Sequence, residues 1–449
     1  MVDRVTTRTG REWPAVGFGW VPGVALVVVL LGACATGSSP PGTAPGAGGE
    51  PQLLRAVGIQ RAEVPSGETA VSAAVDGVTG FGYDLYRVGA DPARNTVMSP
   101  LSIEVAFAMA RAGARGETAA QIDKVLHFPR EGLHAAFNAM TRQVVTTDSP
   151  PPLRPATRKP EQPEPPVVCL ANGLFTQQGF PVRDAFLRVL ASQYGSGVRT
   201  VDFTSGDTAA RRIDAWVRRQ TAGRIDKLFD RLDPSTRLVL ADALYLRADW
   251  QEPFSEGSTA DAGFIRADGS SIRVQMMQHT GSFRYADGSG WQAVELPYVG
   301  GELAMRVLLP TGRNTPADLL APDTLAAVAA GLRPAAVSVA LPRWKSSSMA
   351  DLDTLLPKLG MVAPFTTADF SGISPEPLYI QQAVHRATIT VDEWGTEAAA
   401  VTGLGFAVSA IAPPKLSFRA DRPFAFVIVH KPTGVPLFVG HVADPTEQS

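Results

Sequence analysis

Few residues in this chain could do chemistry on their own, and those few are scattered. There are two cysteines, Cys34 and Cys169, and six histidines, His127, His134, His279, His385, His430 and His441. None of them falls at the spacing of a metal-ligand set. Gly-x-Ser-x-Gly, His-Glu-x-x-His, Cys-x-x-Cys and the phosphate-cradling P-loop are all absent. No catalytic residues, no metal and no cofactor are expected, and the chain does not read as an enzyme. One segment has a different kind of pattern. From Thr396 onward a strand would put Thr396, Ala398, Ala400, Thr402, Leu404, Phe406 and Val408 on one face, each apolar or a small hydroxyl. Glu397, Ala399, Val401, Gly403, Gly405 and Ala407 would form the other face, which tolerates solvent. No proline interrupts Glu393 to Ile411, so no ladder donor is missing. The segment can therefore be added to a β-sheet with one face buried. An Ala-rich helix is the alternative local reading, and the strand-like flanks Ile389-Thr390-Val391 and Lys415-Leu416-Ser417-Phe418 disfavour it.

The rest of the chain must supply the sheet. With 449 residues, 45 % hydrophobic and 19 % charged, it can bury a large core. A formal net charge of −2 leaves no broad basic field for nucleic acid. Two cysteines cannot make a disulfide framework. The N-terminus reads as a targeting segment. Arg4, Arg8 and Arg11 precede an uncharged stretch with the apolar core Val24 to Leu31, followed by Gly32-Ala33-Cys34. A cysteine directly after small residues resembles the lipobox of bacterial lipoproteins. That resemblance implies a signal peptide over 1–33, lipid on Cys34, and a chain exported and anchored on the outer face of the membrane or cell surface. A plain signal peptide with secretion, or an uncleaved span from Trp13 to Ala35, are the alternatives. Cys169 would then be a lone, buried thiol.

Residues 34–65 are expected to form a flexible tether, with the folded domain over 66–449. Helical periodicity runs over Thr69–Val88, Ser102–Ala112 and Thr118–Leu126, and Ser99-Pro100 supplies a cap and first-turn proline. The proline-rich stretch 150–166 should be a surface insertion between a helix ending near Val145 and a strand starting near Val167. Thr208–Gln220 reads as a helix that Gly223 can stop. Leu238–Leu246, Leu303–Leu309, Val337–Leu341, Ala387–Val391 and Phe424–Val429 read as strands. Helices early and strands late give an α+β class with a large mixed sheet.

Five stretches together resemble the serpin family. They are Asn95 to Ser102, Gly113 to Thr118 with Gln121-Ile122, Leu238 to Tyr245 leading to Trp250, His385-Arg386-Ala387 with Val391 to Ala400, and Asp421-Arg422-Pro423-Phe424 with Phe438-Val439-Gly440. The resemblance implies N-terminal helices packed on a large mixed sheet, and an exposed reactive-centre loop over 393–414. It implies a suicide-substrate inhibitor whose partner is a serine protease held as a covalent acyl complex, with the inhibitor itself a monomer. The implied hinge is Glu393, Gly395, Thr396, Glu397, Ala398, Ala399 and Ala400. The implied sheet-opening region is Ser99, Ser102, Asp242, His385 and Trp250. Counting along the family pattern from Glu393 puts the cleaved bond at Ser409–Ala410, to within about one residue. No Lys or Arg lies between Trp394 and Pro414, so a trypsin-like target is disfavoured and an elastase-, subtilisin- or chymotrypsin-like one is expected. Small hinge residues disfavour the alternative, a non-inhibitory binding or surface-interaction protein of the same fold. Two positions depart from the family pattern. Asp242 stands where the family has Asn, and its carboxylate is expected to pair with His385 and make sheet opening pH-sensitive. Trp394 stands where a charged residue is usual, and is expected over the top of the sheet.

Overall fold

The computed structural model describes residues 50–64, 69–151, 163–397 and 416–447. The described chain starts with β1 (Gln52–Leu54), α1 (Thr69–Gly89), β2 (Thr96–Met98), α2 (Pro100–Arg111), α3 (Gly116–Val125) and α4 (Leu133–Val144). It continues with β3 (Val167–Gln177), α5 (Asp184–Tyr194), β4 (Val198–Val201), α6 (Gly206–Gln220) and β5 (Leu238–Asp249). Strands then dominate: β6 (Ala260–Ile265), β7 (Ser271–Gly288), β8 (Trp291–Pro297), β9 (Leu303–Pro310), β10 (Arg333–Pro342) and β11 (Trp344–Asp351). The last are β12 (Gln382–Val391), β13 (Gly395–Thr396), β14 (Leu416–Arg419), β15 (Phe424–His430) and β16 (Pro436–Val442).

Two sheets result. The main sheet has the order β1-β4-β3-β5-β13-β12-β11. The second runs β14-β10-β7-β8-β9-β15-β16-β2, with β6 on β7. This is the α+β arrangement expected, with helices packed on large mixed sheets. α2 lies at the centre. Its residues from Pro100 to Ala110 are all buried, which explains why the helix carries almost no polar face. The Ser99 hydroxyl accepts the Ser102 N–H at 3.2 Å, and Pro100 fills the first turn, where no intrahelical donor is needed. α6 stops as expected: Gly223 takes φ +77°, and its N–H returns to the Arg218 carbonyl at 2.7 Å. One core cluster lies between the helices and the two sheets, and a second is trapped under α6, around Phe175, Phe203, Ile213 and Trp216.

The tether expected over 34–65 does not extend that far. Gln52, Leu53 and Leu54 pair antiparallel with Thr200, Arg199 and Val198, so β1 forms the edge of the main sheet. Within 150–166, residues 152–162 lie outside the described set. Cys169 is buried in β3, and burial pushes its thiol up to about 11.

Candidate functional site

The site begins where β5 and β12 part. They are parallel neighbours only at one end, pairing Gln382 with Val239, Ala383 with Leu240, Val384 with Ala241 and His385 with Asp242. At the far end β13 sits between them. Gly395 and Thr396 pair antiparallel with Asp249 and Ala248 of β5, and Thr396 pairs antiparallel with Val391 of β12. Residues 243–247 and 386–390 thus face each other with no strand-to-strand pairing among the described residues, apart from the Glu397 N–H donating to the Thr390 carbonyl at 2.7 Å. Among the described residues no strand lies between the walls over that interval, and the chain at Gly395 and Thr396 runs antiparallel to both.

The entry is held by specific contacts. Gly395 has φ +154°, and a Cβ there would meet the Ala248 carbonyl oxygen at 2.2 Å, so only glycine fits. Thr396 is buried, with its Oγ1 2.6 Å from the Tyr298 hydroxyl. Tyr298 stacks on Trp250, with ring centroids 4.6 Å apart and planes at 7°. The Trp250 indole N–H donates to the Asp392 carbonyl at 3.0 Å, and its backbone N–H to the Trp394 carbonyl at 2.7 Å. Trp394 itself donates its indole N–H to Glu256 at 3.2 Å. Glu393 is buried and takes the Arg343 Nε–H on both oxygens at 2.8 Å, with Thr259 as a further donor. Burial raises the Asp392 carboxyl to about 6. The Trp394 N–H, which donates to it at 2.8 Å, works the other way, and the neighbouring Glu393 charge adds to the rise.

On the face that tolerates solvent, Glu397 meets protein. Its side chain is 11 % exposed, and its carboxylate meets Arg224 Nε at 2.6 Å. Burial raises the Glu397 pKa and the Arg224 charge opposes the rise. Glu397 also sits at φ +69°, a left-handed conformation that costs energy for a residue with a Cβ. The cause is local topology. The turn after α6 covers this part of the sheet, so the second face of an entering strand meets protein first.

A separate cluster closes the other end of the gap. The Ser99 N–H donates to His385 Nε2 at 3.0 Å, and His385 Nδ1 lies 2.5 Å from Asp242 Oδ1, with Ser99, Asp242 and His385 all buried. Because Nε2 accepts, the imidazole proton is on Nδ1 and is donated to the Asp242 carboxylate. Ser102 Oγ donates to Asn172 Oδ1 at 2.9 Å, and Asn172 Nδ2 donates back to the Ser102 carbonyl at 3.2 Å. Asn172 pairs with Asp242 across β3 and β5. Trp250, the other residue expected in the sheet-opening region, lies at the opposite end of the gap, where β13 enters. It shares β5's direction with Asp242 but lies about 26 Å along the strand at ~3.3 Å per residue, beside the hinge.

The hinge residues Ala398, Ala399 and Ala400, the bond Ser409–Ala410 and the lipidation position Cys34 lie outside the described residues. Asn172, Tyr298, Arg343, Arg224 and Asp392 were not expected. Asn172 and Tyr298 carry no local signal, and the burial of Asp392 beside Glu393 runs against the exposure that two adjacent carboxylates would suggest.

A family model described as serpin (serine protease inhibitor) matches residues 76–445. An uncharacterized serpin-like protein of Thermococcus kodakarensis is 35 % identical over 380 residues, covering 83 % of this chain and 86 % of that one. The leukocyte elastase inhibitor of Bos taurus is 34 % identical over 385 residues, covering 82 % and 98 %. Among solved structures, the thermophilic serpin tengpin in its native state aligns with a TM-score of 0.75 at 23 % identity, covering 88 % and 100 %, and so shares the fold. Serpin48 of Tenebrio molitor aligns at 0.70 with 29 % identity, covering 85 % and 99 %.

Proposed function

Because the chain belongs to the serpin family, we propose that it inhibits serine proteases as a suicide substrate. The observation that carries this reading is β13, a strand seated between β5 and β12 above an interval of the main sheet that no described strand fills. The protease's serine oxygen attacks the carbonyl carbon of Ser409, and its proton passes through the protease's own base to the departing amine of Ala410. The Ser409–Ala410 peptide bond breaks and an ester to the protease forms. The freed loop then continues the path that Gly395 and Thr396 begin, antiparallel between 243–247 and 386–390, and carries the ester-linked protease with it before water can hydrolyse the ester. The target is elastase-, subtilisin- or chymotrypsin-like, since no Lys or Arg lies between Trp394 and Pro414. Lipid on Cys34 anchors the inhibitor outside the cell.

Incubating the chain with elastase, chymotrypsin, subtilisin and trypsin, followed by denaturing gels, tests the inhibition. An SDS-stable complex with one of the first three and none with trypsin is expected, and the mass of the released C-terminal peptide fixes the bond. Clean cleavage without complex across the panel would sink the inhibitory reading in favour of a non-inhibitory binding protein. Partition into detergent that is lost in Cys34→Ala tests the anchor. Equal partition of the two overturns it.

A further inference from the structure

The proline-rich stretch returns to the main sheet beside the hinge. Val167 opens β3 opposite Arg247 of β5, and Glu164 lies just before it in the chain. The Glu164 N–H donates to Asp249 Oδ2 at 2.8 Å, and its side-chain Oε2 lies 3.2 Å from Arg247 Nη1. On the opposite edge of β5, Asp249 and Ala248 pair with Gly395 and Thr396 of β13. The last residues of β5 therefore stand between Glu164 on one side and the start of the hinge on the other.

Alternation along β5 puts Tyr245, Arg247 and Asp249 on one face and Leu246 and Ala248 on the other. Glu397 meets the first face. After Arg224, both Tyr245 and Arg247 favour its charged form. The Arg247 guanidinium thus serves two carboxylates from distant parts of the chain, Glu164 and Glu397, and its side chain is only 14 % exposed. Glu397 itself is bent. Its φ of +69° is left-handed, whereas a strand continuing between β5 and β12 needs φ near about −140°. A backbone change of that size swings the side chain away from Arg224. A firmer grip on the Glu397 carboxylate therefore opposes the extension of β13. Glu164 weakens that grip, because a guanidinium fork engaged by one carboxylate has fewer donors left for a second.

We propose that Glu164 is a positioning residue for the hinge: by engaging Arg247 it limits the hold on Glu397, and so sets how readily the chain at Glu397 straightens and follows Thr396 into the sheet. Glu164 touches neither the loop nor the protease and acts only through Arg247. The consequence for inhibition rests on the suicide-substrate reading. The division of Arg247 between two carboxylates does not, and is measurable without a protease.

Hydrogen exchange of the full chain, read by mass spectrometry over the peptide that contains Glu397, tests the contact. The Glu397 N–H donates to the Thr390 carbonyl at 2.7 Å, so its exchange reports opening of the hinge. Glu164→Gln keeps the backbone N–H to Asp249 and alters a side chain that is 36 % exposed, so the fold is retained. It should slow exchange at Glu397 by about fivefold, the size expected when one coupled charge contact is gained. Glu164→Asp, which keeps the charge, should stay near wild type. In an Arg247→Gln background, Glu164→Gln should have no effect, a result that a merely structural role for Glu164 does not give. With the best protease found, Glu164→Gln should shift the ratio of SDS-stable complex to cleaved chain about fivefold toward cleaved chain. Equal exchange in wild type and Glu164→Gln overturns the proposal, as does an equal effect of Glu164→Gln with and without Arg247. Absence of any complex with wild type sinks the inhibitory reading instead, and the exchange result still decides for or against the contact.

Discussion

Thr396 offers the sharpest test of the half-seated strand. Its side chain is 2 % exposed and its hydroxyl meets Tyr298, which itself is fully buried against Trp250. Thr396→Arg would place a guanidinium in that slot. The hydrogen-bond partner of Thr396, Tyr298, and the Trp250 ring stacked on Tyr298 carry no countercharge. An unpaired charge in such a place costs several kcal/mol even after relaxation. A cost of ~4 kcal/mol corresponds to about a thousandfold change in the balance between entering and not entering the sheet. The arginine should therefore keep β13 out, expose the Tyr298 hydroxyl to water, and delay insertion until hydrolysis of the ester wins. The assay is the ratio of SDS-stable complex to cleaved, uncomplexed inhibitor on a denaturing gel against the best protease found. Wild type should favour complex and Thr396→Arg should give almost only cleaved chain. Thr396→Ser, which keeps the hydroxyl toward Tyr298, should behave like wild type. Complex formation by Thr396→Arg at the wild-type yield would refute the placement of this side chain on the inserting, buried face.

Three further outcomes follow from buried polar groups. Burial raises the Asp392 carboxyl to about 6, above the ordinary ~3.9 of an unfolded carboxyl, so the folded chain binds this proton more tightly than the unfolded one. The stability it contributes is full below about pH 4 and lost as pH rises through about 6, by up to ~3 kcal/mol. Asp392→Asn should raise the Tm at neutral pH and flatten its decline between pH 5 and 7.5, and a wild-type Tm that does not fall over that interval contradicts it. Glu104 in α2 is completely buried and neither carboxyl oxygen has a hydrogen-bond partner among the described residues, and burial holds its pKa far above the usual range. Glu104→Leu should stabilise the fold by ~1–3 kcal/mol in thermal or urea unfolding, and a lower Tm would show that the carboxyl has a use. Asp242→Asn should stay within ~1 kcal/mol of wild type because its Oδ1 can still accept the His385 proton, whereas Asp242→Ala leaves that buried N–H unpaired and should cost ~1–3 kcal/mol. Equal unfolding midpoints for the two variants would remove the hydrogen bond from the account.

What the sequence made legible was local. Ser99-Pro100 announces the start of α2 because a hydroxyl cap and a first-turn proline act within one helical turn. Gly223 announces the end of α6 for the same reason. The alternation read from Thr396 onward lies, after Glu397, outside the described residues. What escaped depends on distant partners. β1 is only Gln52–Leu54 and looks like part of a tether, since what orders it is an edge offered by β4, almost 150 positions further along the chain. Nothing near Glu397 in sequence reveals its ion pair with Arg224. Trp250 and Asp242 stand at opposite ends of the same gap, because an extended strand turns closeness in sequence into distance in space. Asn172 and Tyr298 are ordinary strand residues until the sheet brings them against Ser102 and Thr396.

The open interval has a direct energetic consequence for the sheet. Among the described residues nothing pairs the facing sides of 243–247 and 386–390 except the Glu397 N–H on the Thr390 carbonyl, and the two ends are pinned by different means. The upper pin, Thr396 against Tyr298, moves with an entering loop and opposes nothing. The lower pin does oppose entry. To extend the new strand past His385, the four pairings from Gln382 to His385 must separate, and with them the Nδ1–H bond from His385 to Asp242. Each pairing lost between β5 and β12 is replaced by two, since an inserted strand bonds to both walls, and each hydrogen bond gained is worth roughly 1 kcal/mol net. The Asp242–His385 bond is not replaced by main-chain pairing. The lower pin therefore acts as a barrier on the path to a more stable end state, and the Ser99 N–H, by occupying Nε2 and keeping the imidazole proton on the Asp242 side, sets how firmly that barrier is held.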